Sequence, residues 1–178
     1  MQDGLRAIKL LALDVDGVLT DGSLCIGAEG ETYKVFNAKD GMGISCALRC
    51  GLKVALITGR SSMIVKRRAE ELGITILLQN VKDKNVALKT LSEKLGLMRC
   101  EIAYMGDDLN DLPAFACAGT TFAPADAAAE IKAAADTVTV ATGGRGAVRE
   151  VIESILKAQS QWQRLVAEYS ACGCGDKQ

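Results

Sequence analysis

The sequence contains no histidine. That absence excludes Ser-His and Cys-His nucleophile systems, metalloprotease helices built on paired histidines, and histidine-bound zinc. Acid–base chemistry near neutral pH falls instead to carboxylates, lysine, tyrosine or cysteine. No apolar run reaches the roughly 18 residues that suggest a membrane span. The start, Met1-Gln2-Asp3-Gly4, is not the basic opening of a signal peptide. The expectation is a cytoplasmic protein with no membrane partner. An excess of one charge is also missing. Twenty-one basic and 22 acidic side chains leave a net charge of -1, so no basic field awaits nucleic acid or an anionic surface. The seven cysteines, Cys25, Cys46, Cys50, Cys100, Cys117, Cys172 and Cys174, are odd in number and scattered, which argues against a disulfide framework. Cys46 and Cys50, four apart on an expected helix, read as small apolar filler rather than paired metal ligands. Cys172-Gly173-Cys174 has no second pair and no histidine to make it a soft-metal site.

What the chain does have is acids at the ends of apolar segments. Ile8 to Leu13 reads as a buried strand and runs into Asp14-Val15-Asp16-Gly17. Two acids there are costly to desolvate without a cation or hydrogen bonds, and Gly17 allows a sharp turn. Val54 to Ile57 is a second such segment and ends in Thr58-Gly59-Arg60. Ile102 to Met105 is a third and ends in Gly106-Asp107-Asp108-Leu109-Asn110-Asp111. Between them, Lys84 begins a helical pattern. Each feature has a plain alternative. Asp14 and Asp16 would suit a surface turn, Thr58 an ordinary strand end, and Lys82, Lys84 and Lys89 a solvated helix face. Helix capping accounts for one or two of Asp107, Asp108 and Asp111 but not for all three. Arg145 follows two glycines and either opens the last helix or touches a ligand.

The remaining pattern is regular. Strand signals near 7–14, 53–58, 74–78, 101–106 and 119–122 alternate with helical signals near 42–51, 61–73, 83–95 and 109–117. A short strand near 137–140 and a helix near 145–160 follow. Such alternation predicts an α/β fold: a three-layer, Rossmann-like parallel sheet with helices on both faces. Residues 22–37 break the pattern and read as a β-hairpin flap in place of a cap domain, being too few to fold as one. The expectation is a single domain over 1–160, with 161–178 as the helix end and tail.

The ordered set Asp-x-Asp, Thr, Lys and Gly-Asp-Asp-x-x-Asp resembles the four-motif signature of the haloacid dehalogenase superfamily of phosphohydrolases. The further segments LALDVDGVLTDG, Phe36-Asn37, Lys39-Asp40-Gly41, ITGR, Val65 to Ile74, Asp83-Lys84 and Gly143 to Glu150 resemble the 3-deoxy-D-manno-octulosonate 8-phosphate phosphatases, over roughly residues 5 to 160. The resemblance implies a Mg²⁺-dependent phosphatase. In it Asp14 is nucleophile and metal ligand. Asp16 is a ligand through its carbonyl and an acid–base group through its side chain. Asp107 is the third protein ligand. An acid set without histidine or cysteine suits such a hard cation. Thr58, Gly59 and Lys84 hold the phosphoryl group, while Asp108 and Asp111 act from behind. Asn37, Asp40, Arg60 and Arg145 are possible substrate contacts. The resemblance also implies a homotetramer whose hairpins meet at its centre. The implied substrate is the octulosonate phosphate of lipopolysaccharide biosynthesis. A nine-carbon sialic-acid-type phosphate, a phospho-accepting receiver and a non-catalytic module remain as alternatives.

Overall fold

Leu10–Leu13 forms β1, and all four residues are buried. A strand apolar at every position is one covered on both faces, as in parallel sheets. The structure, a computed structural model, describes residues 2–171. Cys172 and Cys174 lie outside the described residues. A short helix α1 (Gln2–Arg6) precedes β1. The hairpin strands β2 (Cys25–Gly27) and β3 (Gly30–Tyr33) follow it, and then α2 (Ala38–Arg49), β4 (Lys53–Ile57), α3 (Met63–Glu71), β5 (Ile76–Leu78) and α4 (Lys84–Leu95). The chain continues through β6 (Ile102–Met105), α5 (Leu112–Phe115), β7 (Thr120–Ala123), α6 (Ala129–Ala134), β8 (Thr137–Val138), α7 (Ala147–Ala158) and α8 (Trp162–Ala171).

Six strands form one sheet in the order β5-β4-β1-β6-β7-β8, and each neighbouring pair is parallel. The chain moves outward from β1 in both directions, which makes the C-terminal end of β1 the point where strand order reverses. In open α/β sheets that crevice is where ligands bind. Alternate strand residues point to opposite faces. Leu11, Leu13, Val54, Leu56, Ala103 and Met105 meet residues of α2, α3, α7 and α8. Leu10, Ala12, Ala55, Ile57, Ile102 and Tyr104 meet α4, α5 and α6. The three layers expected from the alternation are therefore present. On α7, Val148, Val151, Ile152, Ile155 and Leu156 are buried at helical spacing, each contributing roughly 1.5–3 kcal/mol.

The ends differ from the sequence expectation. The helix near 145–160 stops at Ala158, Ser160 takes φ 58°, and α8 is a separate helix whose Leu165 is buried in the core. The helical signal near 109–117 resolves into a tight turn at Leu109–Asp111 followed by the four-residue α5. The hairpin forms where expected, as an antiparallel pair. It leaves Leu24, Ile26, Tyr33 and Val35 exposed.

Candidate active site

Asp14 follows β1 directly and is buried. Its Oδ2 lies 2.8 Å from Nζ of Lys84. Lys84 is the first residue of α4. Asp83 before it caps that helix by accepting from the Val86 N–H at 3.1 Å, so the turn that fixes the helix start also sends Lys84 inward. Lys84 Nζ also lies 2.6 Å from Asp111 Oδ1. Asp111 is fully enclosed, and both of its oxygens are occupied. Oδ1 accepts from Lys84 and from the Tyr104 hydroxyl at 2.6 Å, and Oδ2 accepts from the backbone N–H groups of Asp107 and Asp108 at 3.0 and 3.4 Å. Asp111 thus holds Lys84 and folds the loop after β6.

Asp107 stands on that loop opposite Asp14. Carboxylate oxygens of Asp14, Asp107 and Asp111 lie within 4.8 Å of one another. With Asp111 satisfied, the free acceptors belong to the other two. Asp107 Oδ1 is buried with no hydrogen-bond partner, a position a cation would satisfy. The acids disturb one another accordingly. Burial, then Asp111, push Asp14 up to about 6 despite Lys84. Burial, then Asp14 and Asp111, push Asp107 up to about 7. Burial would pull the Lys84 ammonium down, but Asp14 and Asp111 outweigh it and raise it. Such raised acids mark surplus negative charge in a cleft. All-oxygen donors of this kind suit Mg²⁺.

Gly17 closes the arrangement. It has φ +87°, and a Cβ there would fall 1.9 Å from Asp107 Oδ2. Only glycine permits both the turn and the approach of Asp107. A cavity of about 250 Å³ opens above, lined by Asp14, Asp16, Gly22, Leu24, Thr58, Gly59, Arg60, Asp107, Asp108 and Asn110. Thr58 is tethered through its backbone to Leu78 and Val81, and its hydroxyl accepts from the Arg60 N–H at 3.4 Å.

The haloacid dehalogenase-like hydrolase family matches residues 74–152. The 3-deoxy-D-manno-octulosonate 8-phosphate phosphatase KdsC of Escherichia coli K12 is 48% identical over 154 residues, 86% of this chain and 82% of that protein. The chain belongs to the 3-deoxy-D-manno-octulosonate 8-phosphate phosphatase family. Its fold agrees. A phosphatase of that name from Moraxella catarrhalis, crystallised with magnesium, phosphate and the sugar acid KDO, superposes with a TM-score of 0.91 at 43% identity, covering 94% of this chain and 97% of that one. The cobalt-bound deoxy-D-mannose-octulosonate 8-phosphate phosphatase of Haemophilus influenzae gives 0.86 at 44% identity, covering 88% and 92%. The protein is therefore a phosphoric monoester hydrolase.

Within that family frame, the structure brings Asp14, Asp16, Thr58, Gly59, Lys84, Asp107, Asp108 and Asp111 to one end of the sheet. Asp108 is exposed and accepts from the Leu109 N–H at 2.7 Å, so it caps the tight turn while lining the cavity. Of the four possible substrate contacts, Arg60 lines the cavity, with Nε 3.9 Å from Asp16 Oδ2. Asp40 requires correction. It is buried, and its carboxylate accepts from the N–H groups of Gly146 and Arg149 at 3.0 and 2.8 Å. It caps α7 and, only 1% exposed, presents no surface to a sugar. Asn37 caps α2, its Oδ1 accepting from the Lys39 N–H at 2.8 Å. Arg145 is largely exposed, and its guanidinium stands 3.5 Å from Asp21. The glycines around it are what the site uses. A Cβ on Gly143 would fall 1.8 Å from the Gly17 carbonyl oxygen, and the Gly144 N–H donates to Val18 at 2.9 Å.

Sequence reasoning did not single out Tyr104 or Lys34. Tyr104 is a core residue of β6 whose hydroxyl reaches Asp111. Lys34, directly after β3, donates to Asp16 Oδ1 and lies 3.1 Å from Glu31. An alternating hairpin pattern offers no sign that one of its lysines turns inward. Cys46 is buried among apolar residues, as expected of filler. No helix among the described residues is long and apolar enough to cross a membrane.

Proposed function

We propose that the protein hydrolyses 3-deoxy-D-manno-octulosonate 8-phosphate to the free sugar acid and phosphate, with Mg²⁺, through an aspartyl-phosphate on Asp14. The observation that carries this reading is the pairing of Asp14 with Lys84 at the base of a small cleft, faced by the partnerless Asp107 oxygen. The likeness to a relative crystallised with magnesium, phosphate and KDO supports the choice of substrate.

An Asp14 carboxylate oxygen attacks phosphorus as the bond from phosphorus to the ester oxygen breaks. The leaving alkoxide takes a proton from Asp16. Water then attacks the aspartyl-phosphate, gives its proton to Asp16, and returns Asp14 free as phosphate departs. Lys84, Thr58 and the Gly59 N–H steady the oxygens of the transferring group, where most of the catalytic effect of such sites resides. Asp14, Asp107 and the Asp16 carbonyl would hold Mg²⁺. When bound, the cation neutralises charge that would otherwise repel a phosphate dianion from two carboxylates.

The cleft accounts for the phosphate better than for the sugar. About 250 Å³ falls short of the roughly 300–1,000 Å³ of ordinary ligand pockets. The hairpin above it exposes Leu24 and Ile26, and a two-stranded hairpin is marginal alone. In a homotetramer whose hairpins meet at its centre, a neighbouring copy would supply the missing wall of each site and the packed hairpins the missing stability.

A turnover screen over sugar-acid phosphates tests the reading. The eight-carbon ester is expected to give the highest kcat/KM. Asp14→Asn is expected to be inactive, and Asp16→Asn to retain Mg²⁺ binding while losing about 10²–10⁴-fold in rate. Preference for a nine-carbon ester would replace the substrate. Near-normal turnover by Asp14→Asn would overturn the mechanism.

A further inference from the structure

The hairpin contributes a charged group to the interior of the site. The Lys34 side chain is only 1% exposed. Its ammonium meets Asp16 Oδ1 and, at 3.1 Å, Glu31 Oε1. The other oxygen of Glu31 accepts from the Ser62 hydroxyl. That same hydroxyl accepts from the Val65 N–H at 3.2 Å and so caps α3, while the Ser62 N–H donates to Gln79 at 2.6 Å. A continuous line of polar contacts therefore runs from Asp16 through the hairpin to the start of α3 and the end of β5.

Stability alone is a poor explanation for this line. A lysine is rarely enclosed unless paired, and desolvating such a pair offsets most of its attraction. A flap that only covered the cleft would keep its lysine in water. Here the ammonium is enclosed against Asp16, a carboxylate at the cleft that is neither joined to Lys84 nor facing Asp14. Arg60, 3.9 Å from Oδ2, flanks the same carboxylate.

We propose that Lys34 is a positioning residue for phosphate-ester hydrolysis: it fixes the Asp16 carboxylate at the cleft, and Glu31 with Ser62 fixes Lys34. Asp16 is then aligned only while the hairpin is seated on α3, which makes the flap part of the catalytic geometry as well as its cover. The inference rests on the reading of Asp16 as the group that exchanges a proton with the leaving alcohol. Displacement of a reacting group by about 1 Å lowers rates on the order of 10²-fold, so Lys34 has scope to matter without touching the substrate.

A double-mutant cycle with Mg²⁺-saturated protein and the sugar-acid phosphate tests it. Lys34→Met is expected to lower kcat about tenfold to hundredfold with little change in KM, and Lys34→Arg to recover much of the loss. In an Asp16→Asn background the same Lys34→Met change is expected to cost less than about twofold, the scatter of independent sites. Equal fold-losses in the two backgrounds, or wild-type kcat in Lys34→Met, would overturn the proposal. Full activity of Asp16→Asn alone would instead sink the reading of Asp16, a separate result. If Lys34→Met does not fold, Glu31→Gln takes its place, since it keeps the Lys34–Asp16 contact and loosens only the anchor. Its kcat deficit is expected to vanish when Asp16 is Asn, and a persisting deficit would refute the idea.

Discussion

Replacing Gly17 with alanine perturbs the site without removing any functional group. A Cβ at this position falls 1.9 Å from Asp107 Oδ2 and 2.3 Å from its carboxyl carbon, where 3.0 Å is the closest approach seen for real Cβ atoms. The Asp107 carboxylate must therefore retreat by at least about 1 Å, and displacement on that scale is worth on the order of 10²-fold in rate. A non-glycine residue at φ +87° adds backbone strain of roughly 1–2 kcal/mol. The two effects are separable. Strain appears as a lower denaturation midpoint, and the displaced carboxylate as weaker Mg²⁺ activation. Activity titrated against Mg²⁺ should show a half-maximal concentration shifted well upward and a reduced plateau, beside an unfolding free energy only modestly lower. A Gly17→Ala protein with an unchanged Mg²⁺ titration would refute the placement of Asp107 as the group that the turn exists to admit.

Other outcomes follow from the same geometry. Tyr104→Phe removes a buried donor 2.6 Å from Asp111 Oδ1 and should lower the unfolding free energy by about 1.5–3 kcal/mol, as for hydrogen bonds to charged groups; unchanged urea unfolding would contradict it. In EDTA-treated protein, Asp107 at about 7 lies above the usual carboxylate range, so between about pH 4 and 7 the folded state keeps a proton that the unfolded chain releases. Stability from this group is then full on the acid side and lost as pH rises through that window. Asp107→Asn should accordingly stabilise the metal-free protein increasingly from pH 4 to 7.5, and a calorimetric difference that shrinks over this range would count against the assignment. Charged residues at Leu24 and Ile26 should convert the proposed tetramer into smaller species in sedimentation and reduce sugar-phosphate turnover more than p-nitrophenyl phosphate turnover. An active wild-type monomer of unchanged specificity would dispose of the hairpin assembly.

The central site was legible because its parts are local. Asp14 and Thr58 follow an apolar segment directly and Asp107 follows one after a single glycine, and the strand order then brings those ends together. Nothing local in the sequence separates Lys84 from Lys82; the physical difference is that Asp83 caps α4 and the residue after it turns inward. Asp40 was misread because its partners, Gly146 and Arg149, lie more than a hundred positions away. Nothing in Lys39-Asp40-Gly41 announces a helix start so distant. Lys34 and Tyr104 were missed for a related reason. Each conforms to its local pattern, hairpin or apolar strand, and departs from it only at the terminal atom.

The contact of Gly143 and Gly144 with the Gly17–Asp21 backbone bears on how the chain comes to be active during synthesis. Residues 14, 58, 84 and 107 emerge from the ribosome in that order, but the loop that packs against Gly17 to Asp21, just after the first of them, arrives only with residue 143. This close approach to the aspartate loop is thus made by residues translated after all four motifs. Contacts that join distant parts of a chain form late, because loop closure must come first. A ribosome-bound fragment that already contains all four motifs still lacks the abutment that holds Gly17 beneath Asp107. A fragment that ends before residue 143 is therefore expected to be less active than the full chain even when all four motifs are present.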